Sequence, residues 1–147
     1  MARAVPQSRV HRGLRRGPVL HSGAIEPGEP MSFRLAHRDD CQTEGNWELV
    51  RRTLEVRAFG VNLVTVPPGG QIPEHDETVR DQEELFFVLS GSPTIVIDGD
   101  DHPARAGTFA RLDPEHSRTV RNQSGEPAAV LIVSAPRSSG YEPMDWA

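Results

Sequence analysis

From residue 59 onward the chain is a succession of short strand-forming runs separated by glycine, proline and aspartate turns. Residues 59–66 are rich in valine and leucine and end at Pro67-Pro68-Gly69-Gly70. Residues 85–89 are a continuous apolar run closed by Ser90-Gly91-Ser92-Pro93. Residues 94–98 lead into Asp98-Gly99-Asp100-Asp101, and residues 108–112, 117–121 and 128–135 are further runs of the same kind. Short β-prone runs punctuated in this way read as antiparallel strands. Many of them in one domain pack as a sandwich or barrel. The unbroken apolar run at 85–89 predicts a strand covered on both faces. The helical share should be small.

The chain before residue 59 is less decisive. Residues 32–37 alternate and suit an edge strand; residues 38–46 read as a polar loop. Residues 47–57 leave two readings open, because Trp47, Val50 and Leu54 fit helical spacing while the segment also suits a strand. Residues 1–30 differ in kind. They hold five arginines and two acids, carry glycine and proline throughout, and show no period. The segment lacks the apolar stretch of a secretory signal despite its Arg15-Arg16 pair. The expectation is a disordered extension over 1–30 and a single domain over 31–147.

Composition narrows the function classes. The 147 residues suit one domain with a single core. Formal charge is -5, so a basic surface for nucleic acid is not expected. No apolar run approaches the ~20 residues of a membrane helix. One cysteine, Cys41, excludes an internal disulfide framework and points to a reducing, cytoplasmic setting. No nucleophile-elbow, phosphate-loop or zinc-protease motif is present.

One constellation stands out. Gly69 is followed after five residues by His75, and Glu84 after six by Gly91. Fifteen residues separate Gly91 from Gly107, and Asn122 stands fifteen beyond Gly107. On these residues the chain resembles the cupins, whose motifs are G-x5-H-x-H-x3-4-E-x6-G and G-x5-P-x-G-x2-H-x3-N. The resemblance covers roughly residues 60–135. It implies an all-β, cupin-like double-stranded jelly-roll β-barrel and a homodimer. It also implies a barrel site that in metal-binding members holds three histidines and one glutamate on an ion.

The sequence departs from that pattern. Glu77 replaces the second histidine, and six residues rather than three or four separate it from Glu84. In the second motif Asp113 and Glu115 stand at the proline and glycine positions, and Arg118 at the histidine position. Arginine stays protonated and is not a metal ligand. Residues two apart on a strand share a face, so His75 and Glu77 can both point inward, with Glu84 from the neighbouring strand. Two arrangements remain open. His75, Glu77 and Glu84 hold one divalent transition metal (Fe, Mn, Ni or Zn), or the carboxylates pair with Arg118 and no ion is bound.

Three functions follow from these alternatives. The first is a metal-dependent oxygenase or isomerase acting on a small, anionic metabolite. The second is a metal-free isomerase or cyclase with Glu84 as general base and Arg118 holding the substrate anion. The third is a non-catalytic small-molecule-binding module. Phe86, Val88, Val96 and Phe109 are candidate pocket walls by alternation, joined by Arg118. His116 is expected in a loop, His37 and His102 in solvent, and Asn122 at a turn.

Overall fold

The structure, a computed structural model, describes residues 33–146. The expectation for residues 1–30 falls outside that range. Leu35–Ala147 form one compact unit. Its elements are a 3-10 turn (Arg38–Asp40), β1 (Thr43–Glu44), β2 (Trp47–Glu48), α1 (Val50–Leu54), β3 (Gly60–Val66), β4 (Gln82–Ser90), β5 (Thr94–Ile97), β6 (Asp100–Pro103), β7 (Phe109–Leu112), β8 (Arg118–Arg121) and β9 (Ala128–Pro136). No described helix is long and apolar enough to cross a membrane.

The strands form two sheets. One has six strands in the order β1-β2-β3-β9-β4-β7, the other three in the order β6-β5-β8. All pairs are antiparallel. The segment after β3 continues the smaller sheet, with bridges between Gln71 and Arg121 and between His75 and Arg118. Between the sheets lie Val64, Val66, Phe86, Val88, Ile95, Leu112, Val120 and Val130, each almost wholly buried. Each such side chain contributes about 1.5–3 kcal/mol relative to exposure, so this layer is what holds the sheets together.

Turn chemistry explains the frame. Gly69, Gly91 and Gly107 all have positive φ, at 77°, 81° and 91°, a region that a side chain rarely tolerates. Gly91 is the most constrained. A Cβ there would lie 2.7 Å from the Pro127 carbonyl oxygen and 2.8 Å from Ala128 Cα. Gly91→Ala should therefore cost about 2 kcal/mol or more, combining backbone strain with overpacking against main chain. Urea unfolding of the variant measures this, and a loss under about 0.5 kcal/mol would contradict the packing. The β5–β6 hairpin turns through Asp98-Gly99, both at positive φ, the usual chemistry of a two-residue hairpin loop.

Two expectations are corrected, and one open alternative is resolved. Residues 33–37 are not a strand, and Phe33 and Leu35 are both 76% exposed; no strand pairs with them among the described residues. Residues 47–57 divide between a two-residue strand and a one-turn helix, so each open reading held for part of the segment. The run at 85–89 is not covered on both faces: Phe86 and Val88 are buried, while Leu85 and Leu89 are 40% and 48% exposed. The run is apolar on both faces, but only one face meets the opposing sheet.

Candidate functional site

Three strands of the larger sheet bring their inward rows into register. Val64, Val130 and Val88 lie side by side, then Asn62, Ile132 and Phe86, then Gly60, Ser134 and Glu84. Each row passes from apolar to small or polar toward the same end. A pocket of about 320 Å³ opens there, lined among others by Trp47, Asn62, His75, Glu77, Gln82 and Glu84.

His75, Glu77 and Glu84 meet at this mouth, with ligand atoms within 4.8 Å of one another. The segment carrying His75 is held against β8 by reciprocal bonds, His75 N to Arg118 O (3.1 Å) and Arg118 N to His75 O (2.8 Å). His75 and Arg118 are thus direct cross-strand neighbours, and their side chains share a face. Glu77 N donates to Pro114 O, so His75 and Glu77 face inward together, as their spacing required. Between Glu77 and Glu84 the chain makes a tight turn. Asp76 Oδ1 accepts from Thr78 N and Oγ1, and Gln82 N donates to Glu77 O.

The imidazole is oriented. His75 Nδ1 lies 3.0 Å from Pro73 O, so this nitrogen carries the proton. Nε2 then faces Glu77 Oε1 at 3.9 Å and Glu84 Oε2 at 3.8 Å. A backbone carbonyl on one ring nitrogen is the usual way a ligand histidine is fixed in its tautomer. Glu84 Oε2 is buried and has no hydrogen-bond partner. Arg118 Nε is 3.0 Å from it, an ion-pair contact without hydrogen-bond alignment. Burial pushes the proton affinity of Glu84 up, opposed chiefly by the charge of the Arg118 guanidinium. An imidazole lone pair and an unsatisfied buried carboxylate oxygen turned toward each other fit a divalent cation with nitrogen and oxygen ligands. The His75–Glu77–Glu84 cluster could hold such a metal.

Arg118 pairs with Glu84, one of the two arrangements left open by the sequence, and does not line the pocket. It is fully buried. Beyond Glu84, its guanidinium donates to its own loop: Nη1 to His116 O (2.7 Å) and Pro114 O (3.5 Å), Nη2 to Asp113 O (3.4 Å). Its nitrogens face protein groups rather than the pocket, so the residue expected to hold a substrate anion is a brace for the loop after β7. The other expected wall residues also lie off the pocket lining. Phe86, Val88 and Val96 are buried, with Phe86 and Val88 deep in the layer between the sheets. Phe109 is 67% exposed and stacks on Phe87, ring centroids 4.4 Å apart, outside the sheet. Pairing opposite Phe87 of β4 sets it on the outer face.

The other histidines among the described residues, and Asn122, sit where their context placed them. His116 is in a loop, its Nδ1 2.6 Å from Asp98 Oδ2; His37 and His102 are exposed. Asn122 is buried and fixes a turn, donating to Val66 O and Glu126 O and accepting from Ser124 N and Oγ. Residues missed in the sequence are Asn62, Gln82, Ser134 and Arg80. Arg80 Nε lies 3.7 Å from Glu77 Oε2. The signal for the first three was present as polar residues at the ends of otherwise apolar inward rows.

Residues 62–134 match the family model of the cupin domain. Solved structures agree. A cupin protein from Bacteroides fragilis superposes on 83% of this chain and 94% of its own, with 22% identity and a TM-score of 0.61. A cupin 2 conserved barrel domain protein from Salinispora arenicola covers 76% and 93%, with 22% identity and a TM-score of 0.56. The chain is a small member of the cupin superfamily. A sugar phosphate isomerase of the cupin superfamily from Silicibacter pomeroyi shares 25% identity over 60% of this chain and 57% of its own, with a TM-score of 0.54. Among curated proteins no sequence matches.

Proposed function

We propose that this cupin is an isomerase acting on a small, oxygen-rich metabolite, with one divalent transition metal held by His75, Glu77 and Glu84. The carrying observation is the His75 Nε2 lone pair, fixed by Pro73 O and turned on two carboxylates. That arrangement is repulsive unless a cation or proton lies between. A metal bound there would polarise a carbonyl or hydroxyl oxygen of the substrate. The chain's own residues would do the rest. Asn62, Gln82 and Ser134 line the pocket and suit hydroxyl groups. Trp47 and Ile132 supply apolar wall. The likeness to the isomerase from Silicibacter pomeroyi supports an isomerase over an oxygenase.

A second reading has its own observation. Arg118 already places a cation 3.0 Å from Glu84 Oε2. In a metal-free protein Glu84, with its proton affinity raised by burial, would serve as general acid or base. Elemental analysis after reconstitution with Fe, Mn, Ni and Zn separates the two. About one ion per chain is expected; less than about a tenth would leave only the metal-free reading.

We further propose a homodimer. Leu85, Leu89 and Phe109 are exposed together on the outer side of β4 and β7, and apolar faces of this kind mark association surfaces. Sedimentation should show a dimer that Phe109→Glu converts to monomer. A wild-type monomer at tens of micromolar would refute this.

A further inference from the structure

A second pocket, about 430 Å³, adjoins the first. The two share Gly60, Asn62, Arg80, Gln82 and Ser134. Among the residues it does not share are Arg51 and Arg57, which with Arg80 put three arginines on its lining. Local backbone brings them together. Arg51 lies in α1, and Glu55 caps that helix in the left-handed region, at φ 56° and ψ 37°. The turn closes with Val56 N donating to Arg51 O, which returns Arg57 beside the helical turn bearing Arg51. The Arg51 and Arg57 side chains have no acidic partner among the described residues. Arg80 has only Glu77, at 3.7 Å.

All three side chains are exposed, so water and salt screen their mutual repulsion, and the cluster leaves the cavity mouth positive and receptive to an anion. Arginine forks suit planar or tetrahedral oxyanions. A phosphate monoester carries about -1.5 to -2 charges and three acceptor oxygens, a closer match to three guanidinium groups than a single carboxylate. Between this pocket and the His75–Glu77–Glu84 cluster lie Asn62, Gln82 and Ser134, hydrogen-bonding groups with both donor and acceptor character.

We propose that Arg51, Arg57 and Arg80 bind the phosphate of a phosphorylated polyol or sugar whose other end lies at His75, Glu77 and Glu84. This rests on the isomerase reading for the reacting end only; the phosphate seat stands on the second pocket. It also supplies the anion-binding role that the buried Arg118 does not fill.

Calorimetric titration at low salt tests it, with inorganic phosphate, glucose 6-phosphate, glucose and acetate as probes. Both phosphate probes should bind, and glucose and acetate at least tenfold more weakly. Arg51→Ala with Arg57→Ala should weaken glucose 6-phosphate binding at least tenfold. Arg52→Ala removes the same charge from the same helix but off the pocket, and should change binding less than twofold. Arg57→Gln alone should weaken binding measurably and serves if the double variant is unstable. The proposal is overturned if acetate matches phosphate, if the double variant binds normally, or if Arg52→Ala loses as much. Glu84→Gln should still bind inorganic phosphate, so failure of the metal site is distinguishable from failure of the phosphate seat; loss of phosphate binding in Glu84→Gln would also count against a separate seat.

Discussion

Arg118→Ala is expected to destabilise the fold by about 3–5 kcal/mol, the usual cost of leaving one member of a buried ion pair alone. Three effects act together. Glu84 loses the cation 3.0 Å from its buried oxygen. The carbonyls of Asp113, Pro114 and His116 lose their shared donor. A fully buried large side chain leaves a void. Since a domain has a total stability of only about 5–15 kcal/mol, much of it would be lost. Arg118→Lys keeps the charge but replaces a planar fork with a point donor, and should recover only part of the loss. Urea unfolding followed by circular dichroism measures both. A loss under about 1 kcal/mol for the alanine variant would show that the guanidinium does not brace the loop.

Glu84→Gln should fold and lose its metal. The amide keeps the shape and leaves its oxygen beside Arg118 Nε, so the stability cost should be about 1–3 kcal/mol, that of weakening one buried charged contact. Metal affinity should fall by at least the roughly 10–100-fold seen when groups that merely orient a ligand are removed. Unchanged metal content would exclude Glu84 as a ligand. The ion-free protein offers a second readout. Burial raises the proton affinity of Glu84 above its ordinary value of 4.5. The folded state then binds more protons than the unfolded state as pH rises past that value. This contribution to stability therefore declines from about pH 4.5 upward until the folded carboxyl has titrated. Glu84→Gln should lack that decline; an identical pH profile would mean Glu84 titrates normally.

The motif glycines were legible because a backbone at positive φ leaves a direct mark on residue choice, and Gly69, Gly91 and Gly107 all occupy that region. The meeting of His75, Glu77 and Glu84 was legible for a related reason: strand parity and short connections bring close neighbours in sequence to one face. Arg118 was half legible. Its position opposite His75 follows from the spacing, but its hydrogen bonds to Asp113, Pro114 and His116 depend on how one loop folds back. Phe109 was misplaced because alternation within β7 does not say which phase faces the core. That is decided by pairing with β4, which sets Phe109 opposite Phe87 on the outer face.

The sequence by itself determined the strand content, the positions of the turns and the carboxylate-rich character of the site. These depend on local propensity, on φ and on i, i+2 parity. Only the tertiary structure decided which end of the barrel opens. Asn62, Gln82, Ser134 and Glu84 are far apart in sequence, and they line one mouth because β3, β9 and β4 pair in one register. The same holds for Arg51 and Arg57, which lie in residues 47–57, where helix and strand readings both stay open. A left-handed residue at Glu55 and the docking of α1 beside β3 place them on the second pocket, next to the His75 cluster. Register and docking are long-range choices, set by which faces must be buried together, and no single stretch of chain records them.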